Sequence, residues 1–316
     1  MTDSLYVRLP NWVGDACMCL PALTALQQAG LPIVLCGRPW AQDLLSGLAP
    51  AGFVAVGRGL REDLAVLKAR HPAGKQSRGI VFTNSLSSAA LFRLAGVRTA
   101  GYRGDGRSLL LKWAFSKQAG LHEVEIFYQL AYLTLQSWGA AADLPFNPPP
   151  TLNLPITQAH REAAESALAQ AGIDRPFVLL SPTATGLHHG RPKAWPLFGE
   201  LALALQRQGW LCITCPPAHE VEQARAAVPT ATILPPMGLG AFAALTTRAA
   251  LVVCNDSGTS HVAAAAGARQ ITLFGVTRRE RTGPWSPSAI NLGSDQAWAT
   301  LTEVEDAALT ALASGS

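Results

Sequence analysis

Short apolar runs alternate with stretches of helical periodicity along most of the chain. The run Leu5–Leu9 predicts a buried strand, and the stretch 16–29 predicts a helix that is kinked at Pro21. The run Pro32–Cys36 predicts the next strand, and the alternation continues to a strand at Gly79–Phe82. Strands and helices that alternate at these lengths predict an α/β fold in which a parallel sheet carries helices on both faces.

The pattern is interrupted once, at the proline-rich segment Pro145–Pro150, which predicts a stiff linker or a crossing segment. Strand and helix patterns resume after it, beginning with a helix near 160–171 and a strand at Phe177–Ser181. We therefore expect two Rossmann-like, doubly wound domains facing a cleft, with boundaries at 1–150 and 151–316. The tail 302–312 predicts a helix in which Thr302 and Glu305 have the spacing of a capping box.

Composition narrows the classes that fit. The 316 residues are 49% hydrophobic and 15% charged, which excludes a mainly disordered chain. The net charge of +4 does not suggest a nucleic-acid binder. With neither a long apolar span nor a signal-like start, the sequence predicts a cytoplasmic protein. The spacing of Cys212 and Cys215 fits a zinc pair, but their apolar surroundings favour reduced core thiols.

The strongest candidate site is Asn255–His261, between a buried strand and an alanine-rich helix. A helix N-terminus attracts phosphate, and Gly258 lets the backbone approach a ligand closely. The Ser257 hydroxyl can donate, Asp256 can accept from a sugar hydroxyl, and His261 returns to the same face one turn later. The alternative is an ordinary N-cap, which explains Asp256 or Ser257 but not His261.

A second candidate is Asp15, which follows the first predicted strand and Gly14. It is either a simple helix N-cap or a carboxylate that can take a proton from a hydroxyl at the strand end. The strand is not followed by the G-x-G-x-x-G pattern, which argues against a dinucleotide-dependent oxidoreductase.

Two further loops follow predicted strands of the second half. Thr183, Thr185 and Lys193 lie in a loop whose side chains suit a phosphate, with a solvated basic loop as the alternative. Glu220 follows the strand near 210–215, where a carboxylate can bind ribose hydroxyls or simply be solvated.

In this order and at these separations, the motifs resemble the ADP-heptose:lipopolysaccharide heptosyltransferases of glycosyltransferase family 9, especially the heptosyltransferase II branch. The motifs that carry the resemblance run along nearly the whole chain: Trp12-Val13-Gly14-Asp15, Thr83-Asn84-Ser85, Gly101-Tyr102-Arg103-Gly104, Lys193-Ala194-Trp195-Pro196, His219-Glu220 and Asn255-Asp256-Ser257-Gly258 through His261.

The resemblance implies a GT-B glycosyltransferase fold and an inverting transfer of heptose from ADP-heptose to a lipid A–core acceptor. Asp15 would be the catalytic base. The donor would be bound by residues of the second half: Thr183, Thr185, Lys193, Glu220, Asp256, Ser257, Gly258 and His261. No cofactor and no metal ion are expected, because the chain has no Asp-x-Asp motif. The chain departs from the family pattern at Gly275-Val276-Thr277, where the family has Gly-Pro-Ser or Gly-Pro-Thr.

Other functions fit the same residues. The chain could use another nucleotide sugar or acceptor, or bind a nucleotide sugar without catalysis. The expected partners also include the cytoplasmic face of the inner membrane, because residues 58–117 hold 12 Lys and Arg against three Asp and Glu. This basic stretch forms either a face that attracts an anionic lipid or a set of scattered solvated side chains.

Overall fold

The computed structural model describes residues 4–70, 77–141, 143–184, 187–188 and 190–314. The chain divides into two compact units, Met1–Pro149 and Pro150–Ser316. The segment around Pro145 to Pro150 has no regular secondary structure.

The first unit is built on a parallel sheet in which the strands lie in the order β3-β2-β1-β4-β5-β6. Its strands are β1 Leu5–Arg8, β2 Ile33–Gly37, β3 Gly52–Ala55, β4 Arg78–Val81, β5 Arg98–Tyr102 and β6 Trp113–Phe115. Its helices are α1 Val13–Met18, α2 Leu20–Gln28, α3 Trp40–Leu44, α4 Leu60–Arg70, α5 Leu86–Leu94 and α6 Glu123–Ser137. Short 3₁₀ turns cover Ser46–Leu48 and Arg107–Leu109.

The second unit repeats this strand order, as β11-β10-β7-β12-β13-β14. Its strands are β7 Phe177–Ser181, β10 Leu211–Thr214, β11 Thr232–Ile233, β12 Leu251–Asn255, β13 Gln270–Phe274 and β14 Ile290–Gly293, with a separate hairpin of β8 Leu187–His188 and β9 Arg191–Pro192. Its helices are α7 Gln158–Gln170, α8 Phe198–Arg207, α9 Val221–Ala227, α10 Leu239–Arg248, α11 Gly258–Ala266, α12 Arg279–Thr282 and α13 Leu301–Ala313, and a 3₁₀ turn covers Ala218–Glu220.

Both sheets are covered by helices, because alternate strand residues are apolar on each side. In the second unit Val178 and Leu180 pack in one core cluster with residues of α8 and α13. Leu179, between them, is equally buried but lies outside that cluster, as the two-residue period of a strand requires. In the first unit, α4 and α5 pack on each other, and α2 packs against α6. The predicted α/β class with two parallel, doubly wound sheets is confirmed.

The predicted helix over 16–29 is two helices. Cys19 ends α1 and precedes α2, and Pro21 occupies the first turn of α2. The N–H groups of a first turn have no intrahelical acceptor, so a proline there costs no helical hydrogen bond. The proline therefore starts a helix instead of bending one.

The predicted capping box of the last helix is wrong by two residues. Thr300 is the N-cap of α13, its hydroxyl accepts from Glu303 N at 3.3 Å, and Glu303 Oε2 accepts from Thr300 N at 2.7 Å. Thr302 and Glu305 have the same spacing but lie within the helix.

Candidate functional site

Three neighbouring strands of the second unit end at the same edge of its sheet and carry the candidate donor residues. Thr183 follows β7, Glu220 follows β10 and Asp256 follows β12, and the three strands lie in the order β10-β7-β12. The chain order reverses between β7 and β12, so this edge is the topological switch point where open α/β sheets bind ligands. Thr185 lies outside the described residues.

Lys193 lies in the loop between the β8–β9 hairpin and α8. The backbone N–H of Trp195, two residues on, donates to Asn255 Oδ1 at 2.8 Å. Ser181 Oγ and Thr259 Oγ1 lie 3.2 Å apart and join the end of β7 to the first turn of α11. The loops that carry Thr183, Lys193 and Asp256 are therefore linked to one another by hydrogen bonds.

The N-terminus of α11 is built as the sequence suggests. Ser257 is the N-cap residue, with extended backbone, and its hydroxyl makes no capping hydrogen bond. The first-turn N–H groups of a helix without such a cap can be satisfied by an anion. Asp256 and His261 are almost completely buried, with exposed fractions of 7% and 5%, and Gly258 is the first helical residue. Ser257, and not Asp256, therefore occupies the N-cap position, but its side chain does not act as a cap.

Glu220 ends the 3₁₀ turn that follows β10. Its side chain is only 12% exposed, and His219 Nε2 lies 3.5 Å from its Oε1, an ion pair only when the imidazole is protonated. Within this ion pair the histidine is the outer partner, with 74% of its side chain exposed.

Arg191 joins the hairpin to the loops that follow β13 and β14. Its Nη2 donates to Gly275 O at 3.0 Å and its Nη1 to Asp295 O at 3.3 Å. Any side chain at position 275 would collide with the indole of Trp298, since a Cβ there would lie 2.0 Å from the ring. Gly275 is thus required by packing, although the proline that follows it in the family is Val276 here.

In the first unit, Asp15 is not the N-cap of α1. Trp12 holds that position, and Asp15 is the third helical residue, half-buried in the first turn. Burial raises the pKa of Cys17 to about 12 and that of Cys19 well above its usual value, and the negative charge of Asp15 adds to both shifts. A second, mostly buried carboxylate that also raises the pKa of Cys19 is Glu123, at the start of α6.

Two buried arginines of the first unit were missed by the sequence analysis. Arg8 ends β1 with 5% exposure and donates to Leu9 O and Asn11 Oδ1. Arg107 is 4% exposed and donates to the carbonyls of Asn84, Tyr102 and Arg103. A charged residue that closes an apolar strand, as Arg8 does, is the signal that could have identified the first of them.

The basic stretch does not form a single face. Arg58, Arg61, Arg103 and Lys117 follow strands and are exposed at the carboxyl edge of the first sheet. Other basic side chains lie at strand starts or helix ends, at the opposite edge: Lys68, Arg70, Arg78, Arg93, Arg98 and Lys112. At that opposite edge the Arg78 and Arg98 guanidinium groups stack over Trp138 and Trp113, at 4.7 and 5.4 Å.

The cysteines are core residues. All six are buried and none forms a disulfide, and Cys212 and Cys215 donate to different carbonyls, those of Ala202 and Pro235. In the part of the chain that the structure describes, no group of three or more His, Cys, Asp or Glu side chains could hold a metal ion. None of the helices within the described ranges is long and apolar enough to cross a membrane.

Known proteins resemble this chain over almost its whole length. It is 29% identical to lipooligosaccharide heptosyltransferase 2 of Haemophilus influenzae over 301 residues, 89% of this chain and 85% of that protein. It is 28% identical to lipopolysaccharide heptosyltransferase 2 of Escherichia coli K12 over 303 residues, with the same two coverages.

Solved structures share the fold. ADP-heptose lipopolysaccharide heptosyltransferase II of E. coli superposes with a TM-score of 0.78 at 24% identity, over 98% of this chain and 99% of that one. E. coli heptosyltransferase WaaC with ADP gives 0.77 at 21% identity, over 98% and 99%. The paired six-stranded sheets are therefore those of GT-B heptosyltransferases. A family model described as glycosyltransferase family 9 (heptosyltransferase) matches residues 71–311, and the chain is a glycosyltransferase that belongs to this family.

Proposed function

We propose that this protein transfers heptose from ADP-L-glycero-D-manno-heptose to the inner core of lipopolysaccharide, with inversion at the anomeric carbon. The observation that carries the proposal is that Thr183 and Asp256 follow adjacent strands at the switch point of the second sheet, and that Trp195, two residues after Lys193, is hydrogen-bonded to Asn255 at the end of β12. That edge is where a Rossmann-type sheet binds a nucleotide, and a relative has been solved with ADP.

The second unit is proposed as the donor domain. Lys193 would meet the diphosphate as a point charge, and the uncapped N-terminus of α11 at Ser257 and Gly258 would add its N–H groups and helix dipole. Thr183 and Thr185 would contribute hydroxyls, and Glu220 would accept hydrogen bonds from the ribose. Asp256 and His261 would border the sugar and pyrophosphate.

The first unit is proposed to bind the lipid A–core acceptor and to supply the base. Asp15 would take the proton of an acceptor heptose hydroxyl as its oxygen attacks the anomeric carbon, on the side opposite the leaving ADP. The anomeric C–O bond to the diphosphate breaks as the new glycosidic bond forms. The negative charge that develops on ADP would be stabilised by Lys193 and the α11 N-terminus.

Contact with an anionic membrane would use the carboxyl edge of the first sheet. Trp12 and Leu109, which follow β1 and β5, are 76% and 91% exposed, and Leu86, which follows the intervening β4, is 48% exposed. Exposed apolar side chains on the same edge of the sheet as Arg58, Arg61 and Arg103 suit the boundary between lipid head groups and acyl chains. This location would place the protein in the cytoplasm with transient contact at the inner membrane.

The test is turnover of ADP-heptose with a heptose-bearing lipid A–core acceptor, followed by ADP release and by the stereochemistry of the product. Asp15→Asn is expected to lower kcat by about 10²- to 10⁴-fold, the usual contribution of a general base. Asp43→Asn is the matched control, since Asp43 also lies in the first turn of a helix of the same unit.

The outcomes separate the remaining possibilities. Full activity of Asp15→Asn would eliminate Asp15 as the base. If the protein turned over only a different ADP- or UDP-sugar, that sugar nucleotide would be the donor in place of ADP-heptose. ADP binding without transfer to any core acceptor would indicate a non-catalytic binding protein.

A further inference from the structure

Asn255 is a buried amide among apolar neighbours. It closes β12, whose five residues are all buried, and its own exposure is 0%. The other four residues of the strand are Leu, Val, Val and Cys, so packing alone would favour another apolar residue here. A buried amide needs partners for both its donor and its acceptor atoms.

Each atom of this amide bonds to the main chain of another segment. Nδ2 donates to Pro182 O at 3.0 Å and to Ser181 O at 3.4 Å, at the end of β7. Oδ1 accepts from the backbone N–H of Trp195 at 2.8 Å, beyond the hairpin. Asn255 therefore joins two segments that lie 60 residues or more away from it in sequence.

These segments carry the proposed donor-binding residues. Thr183 directly follows Pro182, Asp256 directly follows Asn255, and Lys193 lies two residues before Trp195. The position of Trp195 is further fixed by its indole, which donates to Ala299 O at 2.9 Å. Each of these three donor-binding residues is only one or two residues away from an atom that the Asn255 side chain holds by a hydrogen bond, or from Asn255 itself. The side-chain amide therefore sets where these residues lie.

We infer that Asn255 is a positioning residue of the donor site: its amide holds the loops of Thr183, Lys193 and Asp256 in register without touching the ligand. The inference rests on the proposed function of this site. An amide is required because it donates on one side and accepts on the other. Aspartate keeps the acceptor for Trp195 N–H but loses the donor to Pro182 O, and alanine loses both.

A merely structural role would lower stability without changing ligand binding, so a matched buried amide is the control. Gln270 opens β13 at 0% exposure and donates to Ser260 O at 3.1 Å and Thr272 Oγ1 at 2.9 Å. These hydrogen bonds join α11 to β13, and neither goes to the loop of Thr183 or to that of Lys193. Gln270→Ala should therefore lower the melting temperature as Asn255→Ala does and leave the three loops in register.

The experiment measures ADP binding by calorimetry, well below the melting temperature of each variant. We expect Asn255→Ala to weaken ADP binding tenfold or more and Gln270→Ala to change it less than twofold. Lys193→Met should weaken binding in the wild-type background but add little in the Asn255→Ala background, because the lysine is then already displaced. Equal ADP affinity of Asn255→Ala and wild type, or additive effects of the two substitutions, would overturn the inference.

Asn255→Asp provides the same comparison if the alanine variant does not fold.

A measurement of amide hydrogen exchange without ligand tests this inference separately from the proposed function. The amide of Trp195 should exchange at least tenfold faster in Asn255→Ala than in Gln270→Ala. If wild-type protein does not bind ADP, the donor-site proposal fails. Unchanged exchange of Trp195 would show instead that Asn255 does not hold the loop.

Discussion

Arg8 and Asn11 are joined by a hydrogen bond of 2.7 Å from the guanidinium Nη2 of Arg8 to Oδ1 of Asn11. Arg8 also donates to Leu9 O, so one buried side chain holds both ends of the turn that leads from β1 into α1. Arg8 is buried, and its burial lowers the pKa of the guanidinium. Asp15, the proposed base, lies four residues beyond Asn11, in the first turn of the helix that this connection leads into.

Arg8→Lys should therefore slow catalysis more than it weakens substrate binding. An ammonium group cannot reach both acceptors in the planar arrangement of the guanidinium, so the turn would shift. We expect kcat to fall about 10- to 100-fold, with KM for the donor nearly unchanged, because a displacement near 1 Å can cost a factor of this size. Steady-state kinetics with both substrates measure the two constants.

Arg78→Lys is the control for loss of a guanidinium in the same sheet. Arg78 starts β4 and stacks over Trp138, at the edge opposite Asp15. Arg78→Lys should lower the free energy of unfolding without lowering kcat. A fall in kcat of equal size in both variants would mean that Arg8 acts on the stability of the unit and not on the position of Asp15.

Lys193 is the only lysine from residue 150 to the end of the chain, so its reaction with an amine-selective reagent reports on the proposed donor site. ADP should protect Lys193 from acylation, detected by peptide mass spectrometry, while exposed Lys112 of the first unit reacts equally with and without ADP. If Lys193 were acylated equally fast at saturating ADP, it would not be part of the ADP-binding site.

Lys193→Met should weaken ADP binding about 10- to 100-fold, the range expected for a charge-assisted hydrogen bond to phosphate. Arg207→Met is the matched charge control, because Arg207 is exposed at the end of α8, away from the edge where Thr183 and Asp256 lie. Isothermal titration of each variant with ADP measures the difference. Equal losses in the two variants would indicate a general effect of net charge.

The two edges of the first sheet should differ in their effect on binding to anionic vesicles. Arg58→Gln with Arg103→Gln removes charge from the carboxyl edge, and Lys68→Gln with Arg93→Gln removes the same charge from the opposite edge. Only the first pair should weaken binding to phosphatidylglycerol vesicles, by about fivefold for each residue, as expected for about 1 kcal/mol per basic residue near an anionic membrane. Sedimentation with vesicles at increasing salt measures this, and equal losses in both pairs would contradict membrane contact at the carboxyl edge.

The fold could be predicted where apolar runs are long and bounded by turns, as at β7, β12 and β13. Between residues 83 and 144 the apolar pattern predicts no strand or helix, and there β5 contains Gly101 and Tyr102 and β6 has only three residues. Gly101 lies so close to Val81 and Leu111 that a Cβ there would approach within 2.7 Å of Val81, so tertiary packing and not local propensity selects the residue. Such close approaches depend on neighbouring strands and leave no periodic signal.

The candidate site was predictable to the extent that its motifs are local. Ser257 and Gly258 could be placed at a helix N-terminus because a strand pattern and a helix pattern meet there. The role of Asn255 could not be predicted, since its partners Pro182 and Trp195 are 73 and 60 residues away. The bond from Arg8 to Asn11 spans three residues and was within the reach of sequence reasoning.

The two threonines at the start of α13 show how local spacing can mislead. Thr300 and Thr302 each precede a glutamate by three residues, and only the backbone of Thr300, at φ −70° and ψ 160°, is that of an N-cap. Hydrogen bonds from Thr300 lower the pKa of Glu303. Thr300→Ala should lower the free energy of unfolding by about 1 kcal/mol, the usual value for a lost N-cap, while Thr302→Ala should change it much less. Urea unfolding of both variants measures this difference, and a larger loss of stability in Thr302→Ala than in Thr300→Ala would contradict the observed cap.

The buried thiols should make the protein less stable in alkaline solution. Burial raises the pKa of Cys212 to about 12, whereas a thiol in an unfolded chain ionises near 8.5. Above about pH 8.5 the unfolded chain releases a proton that the folded protein keeps, so the free energy of unfolding falls as pH rises toward the folded pKa, by up to about 1.4 kcal/mol per pH unit for each thiol. Below about pH 8.5 the contribution of the protonated thiol to stability is fully present.

The free energy of unfolding of Cys212→Ala should therefore decline less steeply between pH 8.5 and 10 than that of wild type, by the slope that corresponds to about one proton. Val253→Ala, a non-titrating change in the same core cluster, should lower stability equally at every pH. Parallel declines in wild type and Cys212→Ala, measured by urea unfolding, would show that this thiol does not stay protonated in the folded core.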